Sequence, residues 1–390
     1  MNEFDSSPVP IARLHLGEAE LEGVTRVVFS GWLVQGPEVE RFESVFANTV
    51  NAPHAVAVSS GTTALQLALL ALGVRAGDEV VTVSHSFIAT ANAILAVGAT
   101  PVFVDVRLET LGMDPSTLDV AITSRTRAVV CVHQIGIPCD LAPILAIAAA
   151  RGIPVIEDAA CALGSEILLN GWKRIGSPHG TVACFSFHPR KVVTTGEGGM
   201  LTTRDAALAA RLRSLRQHGA DPTGAFVRPG FNARMTDLQA AVGLPQLVGL
   251  DAILAERRRL ASRYTAALSG HPALETLTDL TAARTNWQSY PMFVRESSGL
   301  SSADVLDHFA AHGVHARPGI TNAHQEPAYA SYGNWRCADP SCDRRHCGHL
   351  ATSEWLRAHT ILLPLFQGLR EDEQDRVVEA CVSLPLRPAH

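Results

Sequence analysis

The chain has 390 residues, 47% hydrophobic and 18% charged, a composition that fills large cores and is too long for a single one. A formal net charge of −6 excludes a surface built to neutralise nucleic-acid phosphates, and the run Arg257, Arg258, Arg259 reads as the solvated face of a helix. No basic segment leads into an apolar one near the start, no apolar run reaches bilayer length, and the eight cysteines lack a disulfide-framework spacing, so a cytoplasmic chain without membrane contact is expected.

Apolar runs at 55–60, 79–84, 100–106, 128–133 and 154–159 read as strands. Helical patterns at 62–73, 87–97 and 142–152 lie among them. This alternation predicts right-handed crossovers and a mostly parallel central sheet covered on both faces. Segments 182–188 and 198–203 read as two strands around a loop that carries Lys191. A helix at 205–217, a Gly/Pro-rich loop at 219–231 and a helical region at 235–268, interrupted near Pro245, follow. The remainder holds a strand at 289–295 and helices at 301–312 and 371–382, with the aperiodic stretch 319–352 reading as a long loop. The expectation is an α/β protein with a large domain over 12–245 and a smaller α+β domain over 246–390.

The 32 basic residues include only two lysines, Lys173 and Lys191; all the others are arginine. A guanidinium stays protonated, whereas an amine can lose its proton and condense with an aldehyde. Lys173 sits in a polar, hairpin-like turn and reads as solvated. Lys191 follows an apolar strand and precedes a flexible TTGEGG loop, the setting of a Schiff-base lysine, with Arg190 beside it.

Two further motifs surround it. SSGTTAL at 59–65 leaves a strand, turns through Gly61 and opens a helix; its N–H groups and hydroxyls suit a phosphate, although an ordinary helix cap has the same sequence. It lacks the lysine of a nucleotide-triphosphate loop. PVIEDAAC at 154–161 places Glu157 and Asp158 at the carboxyl end of a parallel strand, where only one of them can face a given site.

The ordered set SSGTTAL, SFIATANAI, GATPVFVDV, PVIEDAA, FSFHPRK…TTGEGGM and GFNARMTDLQAA closely resembles the DegT/DnrJ/EryC1/StrS family of pyridoxal-phosphate (PLP) dependent sugar aminotransferases. The match runs from about residue 10 to 260, with a weaker echo at 359–378. The resemblance implies the fold type I architecture of aspartate aminotransferase. It implies PLP on Lys191, which also shuttles the proton; Asp158 at the pyridine nitrogen; Phe87 on the ring face; and Gly61, Thr62 and Ser186 at the phosphate. It further implies that Asn232 reaches the cofactor of a neighbouring subunit, making a homodimer with shared active sites. The implied reaction moves an amino group from glutamate or glutamine to a nucleotide-linked keto sugar. A non-nucleotide cyclic ketone as acceptor, a PLP-dependent sugar dehydratase and a non-catalytic relative are the alternatives. The dehydratases carry His in place of the lysine, which the intact Lys191 opposes.

Two positions depart from the family pattern. Cys161 stands where Gln or His usually approaches the cofactor's phenolic oxygen, and Ile135 replaces a Tyr. His324 and Gln325, in GITNAHQEPAY, are the substrate-contact candidates. The segment CADPSCDRRHCGH holds Cys337, Cys342, Cys347 and His349, with His346 beside them. Their C-x4-C-x4-C-x-H spacing follows no standard zinc pattern, so no metal is assigned, and a zinc site and an exposed loop of reduced thiols both stay open.

Overall fold

The structure, a computed structural model, describes residues 7–277, 280–339, 342 and 347–386. Its strands are β1 (His54–Val58), β2 (Glu79–Val83), β3 (Thr100–Val104), β4 (Thr126–Val132), β5 (Val155–Asp158), β6 (Glu166–Leu169), β7 (Gly171–Arg174), β8 (Val182–Ser186) and β9 (Gly199–Thr203). Then come β10 (Leu274–Thr276), β11 (Ala283–Arg284), β12 (Tyr290–Val294), β13 (Arg317–Pro318), β14 (Arg336–Cys337) and β15 (Thr360–Leu363).

Eight strands form the main sheet in the order β1-β9-β8-β5-β4-β2-β3-β14. The run from β8 to β14 is parallel throughout, and β9 is antiparallel to both neighbours. Side-chain alternation divides the apolar residues between two cores. Val80, Val130 and Ile156 face the helices Gly61–Ala71 and Ala206–Arg216. Val81, Val129 and Val155 face the helices Pro37–Val50, Leu141–Ala150 and Asp237–Val248. The expected parallel α/β core is therefore present.

The sequence reading had no helix before residue 55, yet Glu18–Ser30 and Pro37–Val50 are helical. The second carries Val39, Phe42, Phe46 and Val50 on one buried face, a 3.6-residue period that the pattern does display. Phe42 and Phe46 pack edge-on against Phe187 and Phe185 at 5.1 and 5.0 Å between centroids. The buried Asp237 caps this helix, accepting from the N–H groups of Gly36 (2.8 Å) and Val39 (3.0 Å).

The long helical region breaks at Gly249, between Asp237–Val248 and Leu250–Leu268, which meet at 63°; Pro245 lies inside the first helix. Leu250–Leu268 spans both parts of the molecule, with Leu254 in the main core and Leu260, Tyr264 and Leu268 in a second core. That second core lies under the antiparallel sheet β10-β12-β15-β13 and the helices Ser302–Ala311 and Glu371–Val382. It also includes Val9, which bridges to Val314. Among the described residues, no single helix is long and apolar enough to cross a membrane.

The described part of the stretch 319–352 holds more regular structure than its texture predicts. It contains the helix Pro327–Tyr332, strand β14 and the start of the helix Ala351–His359, and β14 extends the main sheet from a part of the chain assigned to the smaller domain. A two-residue strand has no period to read; an ion pair holds it. The Arg336 guanidinium grips Glu79 with Nε–Oε1 at 2.9 Å and Nη2–Oε2 at 2.6 Å, and Thr123 and Arg125 bond the same carboxylate. Burial pushes the Glu79 carboxyl up, but the bonds from Arg336, Thr123 and Arg125 outweigh it and hold it at about 2.

Because the folded-state value lies below the ordinary 4.5, this cluster stabilises the fold fully above that pH and loses its effect as pH falls towards about 2. Arg336→Met should lower stability at pH 7 by ~2–3 kcal/mol, less than a fully orphaned buried charge because Arg125 remains. Urea unfolding of both proteins should show this gap narrowing between pH 5 and pH 2.5. A gap that stays constant with pH would refute the assignment.

Candidate active site

The carboxyl ends of β2, β5 and β8 converge on the loop that carries Lys191. Strand alternation separates the two acidic residues at the end of β5. Glu157 turns into the protein, fully buried, and accepts from His133 Nε2 (3.1 Å), Gly180 N–H (2.7 Å) and His179 N–H (3.2 Å). The His133 Nδ1 accepts from the Cys139 N–H, so the ring proton sits on Nε2 and is donated to Glu157.

Asp158 turns the other way. Its Oδ2 accepts from Thr90 Oγ1 at 2.7 Å and its Oδ1 from Ala160 N–H at 3.2 Å. Burial raises its carboxyl above the ordinary value, against the opposing pull of Thr90, Ala160 and the Lys191 charge. A second hydroxyl, Ser86 Oγ, lies 2.8 Å from Thr90 Oγ1 and completes a short chain to the loop after β2.

Lys191 is half-buried, with its Nζ 3.0 Å from Cys161 Sγ. Its loop is tied down at several points. Lys191 N–H donates to His188 O, Thr194 Oγ1 and Thr195 N–H donate to Phe187 O, and Gln246 exchanges two bonds with Thr194. Arg190 is exposed, its carbonyl held by Gln288 Nε2 at 3.0 Å. Cys161 is held in turn by Asn286, whose Nδ2 donates to the carbonyls of Cys161 (2.8 Å) and Leu163 (2.9 Å). Asn286 leaves no room opposite: a Cβ on Gly136 would lie 1.9 Å from its Oδ1, and Gly136 has φ +94°.

The phosphate candidates are adjacent. Ser60 Oγ caps Thr63 N–H, so the N–H groups of Gly61 and Thr62, which lack intrahelical partners, point out of the helix end. A Cβ on Gly61 would fall 2.7 Å from Ser186 Cβ, so only glycine lets this helix end approach the Ser186 hydroxyl. Phe87, on the loop after β2 that leads to Thr90, is 65% exposed, an unusual state for a phenylalanine.

These residues fit PLP. A helix N-terminus and a serine suit a phosphate, and a buried carboxylate short of donors suits a protonated ring nitrogen. An amine beside them suits an aldehyde, and an open aromatic face suits a flat ring. Thr90 and Asn286 escaped the sequence reading; the helical offset of Thr90, three residues after Phe87, is the one signal that pointed to it.

The other candidates lie apart from this group. Asn232 is exposed, on a loop bridged to Gln217, and none of its described bonds reaches the Lys191 group. His324 is buried, with Nδ1 2.6 Å from Ser84 Oγ and Nε2 3.1 Å from Glu354 Oε1, while Gln325 Oε1 accepts from Asn322 and Arg357. His324 thus fastens its segment to Ser84, just past β2, while the Gln325 side chain bonds within the segment. Lys173 is exposed on β7, as expected for a solvated lysine. Cys337 and Cys347 are buried and Cys342 is half-buried; His349 is exposed, and His346 lies outside the described residues.

The DegT/DnrJ/EryC1/StrS aminotransferase family model matches residues 15–382. The chain is 39% identical over 384 residues to the spore coat polysaccharide biosynthesis protein SpsC of Bacillus subtilis (strain 168), covering 94% of each chain. It superposes on S. venezuelae DesV with a TM-score of 0.85 at 33% identity, covering 96% of this chain and 98% of that one. The PLP form of a sugar aminotransferase, Spr1654 of Streptococcus pneumoniae, aligns with a TM-score of 0.87 at 26% identity, again over 96% and 98%.

Thr90→Val removes the donor that lowers the Asp158 carboxyl and leaves the shape nearly unchanged. The acid limb of the kcat/KM–pH profile should therefore move to higher pH. An unmoved acid limb would show that Asp158 is not the group titrating there.

Proposed function

The chain belongs to the DegT/DnrJ/EryC1/StrS aminotransferase family and is a PLP-dependent aminotransferase, and we propose that it transfers an amino group from glutamate or glutamine to a nucleotide-linked keto sugar. The observation that carries this reading is the amine of Lys191 held within one cluster with Asp158, Ser186 and the helix end at Gly61. The sugar part of the proposal is supported by relatives that span nearly the whole chain and carry sugar or polysaccharide functions in their names.

PLP bound here supplies an aldehyde for amine exchange and a ring that accepts the electron pair of the breaking Cα–H bond. The protein's residues do the rest. Gly61 and Thr62 N–H groups and Ser186 anchor the phosphate, and Phe87 covers one ring face. Asp158, held by Thr90, keeps a proton on the ring nitrogen, which it does only while ionised. Lys191 Nζ would take the substrate's Cα proton and give it back two atoms along, across the exchanged nitrogen, so the transfer has no net proton cost. Cys161 Sγ accepts a hydrogen bond from that amine and fixes its direction.

The active unit of this proposal is a homodimer. Phe29, Trp32, Leu33, Val34, Phe226 and Phe231 are large and exposed, a surface that a second copy would cover. Asn232 directly follows Phe231, which suits its reach into the partner's phosphate site.

Lys191→Arg and Lys191→Ala should remove the visible absorbance of the lysine-bound cofactor and lower turnover about 10³-fold or more. A panel of keto-sugar nucleotides offered to the amine-loaded protein should restore that absorbance for one of them. If only non-nucleotide ketones restore it, the acceptor class is wrong. For the dimer, Lys191→Ala and Asn232→Asp chains should each be inactive, and mixed dimers should regain about a quarter to a half of wild-type turnover through one intact site. Activity that stays absent in verified mixed dimers would place both residues in one subunit's site.

A further inference from the structure

The sequence Cys337, Cys342, Cys347, His349 takes no part in the reaction above, yet the fold gathers it. The three sulfurs lie within 4.8 Å of one another, although the residues span ten positions of chain. Thiolates on a tetrahedral Zn²⁺, with Zn–S of about 2.3 Å, are about 3.8 Å apart, so small side-chain rotations bring these three to ligand distance. None of them forms a disulfide.

Their surroundings are built. Cys337 belongs to β14 at the edge of the main sheet, in register with Phe103 of β3. Cys347 opens the turn Gly348–Leu350 that leads into the helix Ala351–His359. Both pack with Ala91, Phe103, Ala323, Tyr329, Trp335 and Leu350 in a separate apolar cluster, which Cys342 borders. The Cys337 thiol donates to the Asp339 carbonyl at 3.2 Å, which fixes the direction of its sulfur.

His349, two residues after Cys347, is the candidate for a fourth position. Its Nε2 is 3.1 Å from Asp339 Oδ2, which leaves Nδ1 for an ion. A carboxylate on the far ring nitrogen is the usual orienting partner of a metal-bound histidine. The ring is exposed and stands outside the sulfur triangle, so ligation requires it to turn inward.

We propose that Cys337, Cys342, Cys347 and His349 form a structural zinc site. On binding, the three thiols give up their protons to solvent, and the ion clamps β14 to the start of the helix 351–359. Three sulfurs and one imidazole nitrogen suit zinc over harder ions. A second trio, Cys131, His133 and Cys139, is also within 4.8 Å, but both ring nitrogens of its histidine are engaged, by Glu157 and by the Cys139 N–H. It has no imidazole lone pair to offer.

The test is metal analysis of the holoenzyme purified from zinc-supplemented cells, alongside Cys342→Ser, Cys347→Ser and His349→Gln. The wild type should carry about one zinc per chain. The cysteine variants should lose it while keeping the visible absorbance of bound PLP, which reports folding. His349→Gln should bind zinc about 10-fold or more weakly in competition with a chelator. Cobalt offered to the zinc-free protein should give the intense visible bands of a tetrahedral site in the wild type and not in Cys342→Ser. Absence of both zinc and cobalt binding overturns the proposal. So does a disulfide among these cysteines in the purified protein, or zinc that survives all three substitutions.

Discussion

Two consecutive carboxylates end β5, a strand buried on both faces, and each must be compensated on its own side of the sheet. Glu157 receives three donors, and although burial pushes its carboxyl up, His133, His179 and the Gly180 N–H bring it below the ordinary value. Asp158 receives two, and burial wins. Adjacent residues on one strand thus come to opposite ends of carboxylate behaviour. Glu157 is saturated and serves the packing. Asp158 is left short of positive partners in the place where a ligand's ring nitrogen can supply one. The active site exists because the protein satisfies the first acid completely and the second only in part.

The segment that covers the β3 side of the main sheet comes from far along the chain, and polar contacts join an apolar cluster in holding it. Asp105, at the end of β3, accepts from Thr352 and Ser353 N–H and from Ser353 Oγ, capping the helix 351–359. Ser84 and His85, at the end of β2, hold His324 and Asn322, and Asn322 donates onward to Ser353 O at 2.8 Å. Glu79, at the opposite end of β2, holds Arg336. Two acids and two histidines therefore place the described part of residues 319–359 against both ends of β2 and the end of β3. Such bonds are directional, so they set position more sharply than a greasy contact would.

Much of this was legible because the relevant signals are local. The parallel core was readable from apolar runs at 55–60, 79–84, 128–133 and 154–159, and the last helix was read at 371–382, where it lies. Lys191, Asp158 and Gly61 stood out through residue chemistry and the order of motifs. What escaped is what depends on partners distant in sequence. Nothing near residue 336 signals a strand until Glu79 is beside it. Thr90 and Asn286 are ordinary polar residues whose roles appear only when Asp158 and the Cys161 carbonyl face them. His324 had the chemistry of a substrate contact, but both of its ring nitrogens are taken up by Ser84 and Glu354. The helix 37–50 is the exception, since its apolar period was visible in sequence.

The division between arginine and lysine follows the same logic. Arg216 binds Glu43 and the Ala57 carbonyl, Arg336 grips Glu79 with two nitrogens, and Arg257 spans the carbonyls of Trp287, Gln288 and Leu365. The Arg336 site uses a fork of fixed geometry, which an ammonium does not provide, whereas Arg216 and Arg257 make these bonds through one terminal nitrogen each. Burial lowers Arg257 to about 10, and it is still cationic at neutral pH. A chain that meets every structural demand for positive charge with guanidinium must still keep an amine wherever nitrogen has to lose a proton. Lys173 lies exposed on a hairpin strand, while Lys191 stands 3.0 Å from a thiol at the convergence of three strand ends. Only the second position makes use of what lysine can do and arginine cannot.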